Sequence, residues 1–144
     1  MLLNELTALS PAEFDGWLSV PRGSIGPSEL KNCWVFRTGK EAAAAASSER
    51  GARITRRHAD YLPYYKTGNG LYVVLQVTKE GMDQLHNYGN QIYAFGITEK
   101  SAKEAGIKVW RASKDFKNGV MEPWVFQVQN SDPDFFTEDD DEAQ

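Results

Sequence analysis

Hydrophobic and polar positions along this chain switch repeatedly between a helical and a strand period. In "LSPAEFDGWL", Phe14, Trp17 and Leu18 recur at i, i+3 and i+4, the spacing of one helix face. Ser10 stands at an N-cap place, Pro11 at the first helical position and Glu13 at the capping-box place. The pattern predicts a short helix there. The following "VPRGSIGPSE", with two prolines and two glycines, predicts a linker.

"NCWVFR" reads as a strand. Thr38 is placed to cap the next helix, with Glu41 as box partner. Five alanines favour that helix, and Gly51 is the expected C-cap. "RITRRHADYL" predicts a second helical or irregular piece ending before Pro63. Gly68-Asn69-Gly70 makes a turn, and Leu71 to Val77 is nearly all apolar, the mark of a central strand. "KEGMDQLHNYG" reads as a helix, "NQIYAFGIT" as a strand, "EKSAKEAG" as a helix stopped by Gly106. "IKVWRA" reads as a strand, "SKDFKNG" as a turn and "MEPWVFQVQ" as a last strand, with Pro123 at its start.

These elements predict an α+β fold: a single mixed or mainly antiparallel sheet with packed helices. Residues 1–30 are expected to form an N-terminal helical arm and linker, 31–131 the core domain, and 132–144 a disordered acidic tail. A chain of 144 residues fits one domain with a real core, and 41% hydrophobic with 12% aromatic residues is a globular composition. No stretch approaches the roughly 18 apolar residues of a membrane span, so no membrane partner is expected. Asn4 and Glu5 break the first apolar run, and no basic residue leads it, which argues against a signal peptide. The single cysteine, Cys33, excludes an internal disulfide and reads as a small core residue. The expected compartment is cytoplasmic, including delivery into a target cell's cytoplasm by a signal-independent route.

Charge changes this picture. The net −4 conceals a segregation. From Lys31 to Gly119 there are 15 Lys and Arg against 8 Asp and Glu, a balance of +7. From Asp132 onward there are 7 acidic residues and no basic one. A basic body implies an anionic partner. The densest cluster is "RITRRHADYLPYYK". Arg53, Arg56, Arg57, His58 and Lys66 offer phosphate contacts, and Tyr61, Tyr64 and Tyr65 offer faces on which bases stack. An imidazole as general base beside cations that stabilise a phosphorane also describes metal-independent RNA cleavage. The opposing reading is a solvated basic face. His58 and His86 stand apart with no ligand spacing, so no metal is expected.

Arg37 raises a separate question, because a guanidinium ending an apolar strand needs a carboxylate, an anion or solvent. "WVFRTG" resembles the first strand of bacterial mono-ADP-ribosyltransferase toxins of the arginine-first class. The resemblance extends through the element order over residues 33–128. It implies NAD as cofactor, held by Arg37 with Tyr64, Tyr65 and Lys66, and a transition state stabilised by Glu122. The family's Ser-Thr-Ser segment falls on Val74-Leu75-Gln76, which leaves Thr78 as the nearby hydroxyl, and Glu122 lacks the family's paired glutamate.

Three functions follow, in order. The first is a small toxin- or effector-like ADP-ribosyltransferase using NAD, acting on a macromolecular target. The second is a nucleic-acid-binding or RNA-cleaving domain. The third is a non-enzymatic immunity- or inhibitor-type protein with a cognate binding partner.

Overall fold

The structure, a computed structural model, describes residues 15–58, 60–86 and 91–129. The expected acidic tail, and the capping residues Ser10, Pro11 and Glu13, lie outside them. The fold is α+β, but the expected single sheet is two. Both are antiparallel and three-stranded.

The first, sheet A, has the order β5-β1-β6, with β1 at Asp15–Val20, β5 at Ala94–Gly96 and β6 at Trp124–Gln129. The second, sheet B, has the order β2-β4-β3, with β2 at Leu30–Phe36, β3 at Tyr64–Lys66 and β4 at Tyr72–Val77. The helices are α1 (Gly39–Ala46), α2 (Glu49–His58), α3 (Lys79–His86), α4 (Glu99–Arg111) and the single turn α5 (Lys114–Lys117).

The helix expected through Trp17 and Leu18 is therefore corrected to a strand, and a central one. Leu18 pairs with Phe95 on one side and Phe126 on the other. The alternation of a strand sends Gly16, Leu18 and Val20 to one face and Trp17 and Ser19 to the other. Leu18 and Val20 enter the main core, and Trp17 and Leu18 part company although they are adjacent.

That core lies between the sheets. Leu18, Val20, Phe95 and Val128 of sheet A meet Cys33, Val73, Leu75 and Val77 of sheet B. Helix α3 closes one side, where Leu85 is buried and Gly81 approaches Ile25 and Val77. The outer face of sheet B carries Trp34 and Val74 under Ala42 of α1 and Ile54 of α2. Helix α4 covers the outer face of sheet A. The layers run helix, sheet B, sheet A, helix.

Two further expectations are corrected. Gly51 does not cap α1; the helix ends at Ser47, and Gly51 sits inside α2 against Leu62 and the Ala45 and Ala46 carbonyls. Gly106 does not stop α4, and "IKVWR" is helix rather than strand. Gly106 faces Ser19 of β1, where a Cβ would stand 2.5 Å from the Ser19 Cβ. It is a point of close approach, not a terminator.

Candidate nucleic-acid interface

The register of sheet B decides which candidate residues can act together. Phe36, Tyr72 and Lys66 align across its three strands at one end. Arg37 follows Phe36 there. It is exposed and makes no hydrogen bond or ion pair among the described residues. The side chain of Lys66 lies 5.9 Å from the Tyr72 ring centroid. Thr78 lies at the other end, one residue past Val77, which pairs with Leu30. Six residues of β2 and β4 separate the two ends, about 20 Å at strand rise.

The Thr78 hydroxyl is also engaged, accepting from the Gly81 N–H at 3.2 Å to cap α3. Glu122 is exposed in the segment before β6, and its main-chain carbonyl accepts from Arg22 Nε at 3.0 Å. Among the described residues no ion pair joins it to Arg37. Strand alternation divides the remaining trio. Tyr64 and Lys66 share the face of Val74 and Tyr72, toward α1 and α2. Tyr65 points the other way and packs on the core between the sheets. That burial raises its hydroxyl pKa above the ordinary tyrosine value.

Helix α2 brings the basic cluster into order. Gly51 and Ile54 are buried against Leu62 and the outer face of sheet B. At about 100° per residue, Arg53 and Arg56 fall on the opposite side and Arg57 on its flank. Arg56 and Arg57 are exposed and make no ion pair among the described residues. Cations near a helix C-terminus are favoured by the macrodipole. Like charges three and four residues apart still oppose each other by a few tenths of a kcal/mol, about the size of a favourable pair. An anion lying along this side removes that repulsion. Leu62 packs beneath α2, and the next residues of the same face are Tyr64 and Lys66, both exposed. Tyr61 is exposed on the opposite face of this edge, opposite Val77. The His58 side chain lies outside what the structure describes.

A buried polar chain beneath α2 was not anticipated. Asn32 Nδ2 donates to Gln76 Oε1 at 2.7 Å, and Gln76 Nε2 donates to Asp60 Oδ2 at 2.8 Å. Lys31 Nζ reaches both Asp60 oxygens at 3.0 Å. The Asp60 carboxylate is nearly fully buried while Lys31 stays near half exposed. The signal was present in Gln76, a polar residue inside the apolar run of a central strand. The "TGNG" turn is likewise structural. Asn69 Nδ2 donates to the Phe95 carbonyl at 2.9 Å and so ties sheet B to β5. Beside that turn, a cleft of about 560 Å³ opens between Gly68 and Asn69 on one side and, on the other, Ala105, Lys108 and Val109 of α4 with Ala112 and Ser113 just beyond its end.

Among the described residues no group of three or more His, Cys, Asp or Glu is placed to hold a metal ion, and no helix is long and apolar enough to cross a membrane. Comparison with family models, with curated proteins and with solved structures finds no match to this chain.

Proposed function

We propose that the chain binds single-stranded nucleic acid along the solvent side of α2, with Tyr64 and Lys66 of β3 extending the surface. One observation carries this reading. The apolar side of α2 is committed to sheet B through Gly51 and Ile54, and the arginines gather on the side that remains. Guanidinium groups take phosphate oxygens in forked pairs. An exposed tyrosine supplies a stacking face that any base can use, which suits a single strand better than a duplex. The transferase reading has less support, because Thr78 stands at the far end of the sheet from Arg37 and caps a helix.

Titration of a labelled oligouridine by anisotropy, at several salt concentrations, tests the proposal. The logarithm of the affinity should fall linearly with that of salt. Arg56→Ala and Arg57→Ala should each reduce the slope by about 0.7. Tyr64→Ala should weaken binding by about 1–3 kcal/mol at an unchanged slope. Absent binding, or a slope indifferent to both arginines, rules the proposal out.

A further inference from the structure

Arg37 and Lys40 take no part in the surface along α2, yet the fold brings both toward Lys66. The meeting point is the Tyr72 ring. Strand register places Tyr72 between Phe36 of β2 and Lys66 of β3. The Lys66 ammonium lies 5.9 Å from the ring centroid. A cation over an aromatic face is attracted by the ring quadrupole, so the ammonium is drawn inward over β4 instead of swinging free at the sheet edge. Helix α1 begins on the same ring: a Cβ on Gly39 would stand 3.0 Å from Tyr72 Cε2. Arg37 lies two residues before Gly39 and Lys40 one after it, so their Cα atoms stand within about 7 Å and about 4 Å of that glycine.

The three cations have no partner of opposite charge. Arg37, Lys40 and Lys66 are exposed, and none forms an ion pair among the described residues. Strands β2, β3 and β4 contain no acidic residue. The carboxylate nearest in sequence, that of Glu41, accepts the Thr38 hydroxyl at 3.1 Å. Three cations against this one carboxylate leave a balance of +2 around Tyr72.

That charge selects among phosphates. Along α2 the arginines are spaced on one helix side, an arrangement for successive phosphodiesters of single charge. Around Tyr72 the cations converge from three elements. A phosphate at the end of a strand is a monoester, with a charge of about −1.5 to −2 at neutral pH and three acceptor oxygens. Tyr64 shares the outer face with Lys66, two residues or about 7 Å away. A terminal base stacked on Tyr64 leaves its phosphate within reach of Lys66.

We propose that Arg37, Lys40 and Lys66 hold the terminal phosphate of the bound strand, with the terminal base on Tyr64. The proposal rests on nucleic-acid binding along α2 and adds to it a preference for one phosphorylated end.

Competition against the labelled oligouridine, by unlabelled oligouridines carrying a 5′-phosphate, a 3′-phosphate or neither, decides it. One of the two phosphorylated ends should raise affinity about tenfold over the unphosphorylated strand, the worth of one charge-assisted contact. Arg37→Ala combined with Lys40→Ala should bring that ratio close to one. Both residues are exposed, so the variant should keep the parent melting temperature. In parallel, uridine monophosphate of the preferred end should shift the backbone amide resonances of residues 37–40 and 66, and uridine should not. Equal affinity for all three strands overturns the proposal and leaves binding along α2 standing. So does an equal gain at both ends, the mark of added charge alone, or a preference that survives the double variant. Absence of binding by every strand overturns both readings.

Discussion

The two sheets are covered in opposite ways. Over sheet B, large side chains of the strands press into helices made of small ones. Trp34 and Val74 are fully buried, with Phe36 and Tyr72 beside them, against the alanines of α1 and Ile54 of α2. Over sheet A, the main chain of α4 comes close against the strands. A Cβ on Gly96 would stand 2.6 Å from the Ala102 nitrogen, and one on Gly106 would meet Ser19. Sheet B is held by volume that fills a gap, sheet A by the absence of volume. The first cover should fail when atoms are removed and the second when atoms are added.

The largest effect is expected at Trp34. Trp34→Ala empties the centre of the sheet B cover and should cost about 3–5 kcal/mol, read as a shift in urea midpoint. On the other side, Gly106→Ala should cost about 1–3 kcal/mol through overpacking. Ser19 supplies both atoms that an added Cβ would strike, its Oγ and its Cβ. Ser19→Gly should therefore absorb the same alanine, leaving a coupling of about 0.5–3 kcal/mol in a double-mutant cycle. Additive costs would show that α4 is not held off by this contact, and the contrast between the sheets would collapse.

The same contrast explains what could be read in advance. Strand β4 is apolar on both faces because side chains cover both, and "LYVVLQV" declares itself. Strand β1 faces a core on one side and a close-packed helix on the other. Its outer face needs Ser19 small, so no alternating apolar pattern survives. Trp17 and Leu18 then fall by chance at a helical interval from Phe14. The glycine of α4 misled for the same reason. A glycine required for close approach looks like a stop when its neighbour is unseen. The basic side of α2 was legible from composition, but its separation from Tyr65, and of Arg37 from Thr78, depended on strand register, which the sequence of a single strand does not contain.

The interior between the sheets belongs to both, and Cys33 reports on it through pH. Burial pushes its thiol pKa far above the ordinary value. Below about pH 8.5 the thiol is protonated in both folded and unfolded chains and contributes no pH dependence. Above that, the unfolded chain releases a proton that the folded chain retains, so stability falls, by at most about 1.4 kcal/mol per pH unit for this group. Tyr65, raised in the same direction, adds to the fall above about pH 10. Urea midpoints at rising pH should show the decline beginning near the thiol's unfolded value. Cys33→Ala should delay it to the tyrosine range. An unchanged onset would mean that the thiol is not sealed between the sheets.

The smallest difference lies in how the covering helices begin. Thr98 Oγ1 accepts from the Ser101 N–H at 3.0 Å, and Ser101 Oγ accepts from the Thr98 N–H at 3.2 Å, a complete capping box for α4. Thr38 accepts from the Glu41 N–H at 3.1 Å, but the Glu41 carboxylate takes the Thr38 hydroxyl rather than its N–H. The first helix turn of α1 therefore has one donor fewer satisfied by side chains. Its alanines compensate through propensity, and α2 shares the covering of sheet B. Helix α4 covers sheet A with no second long helix beside it among the described residues. Thr98→Ala should cost about 1 kcal/mol, and Thr38→Ala measurably less, in paired thermal melts. Equal losses would mean that the caps do not feel which sheet they serve. A larger loss at Thr38 would mean that α1, despite its alanines, depends on its cap more than α4 does.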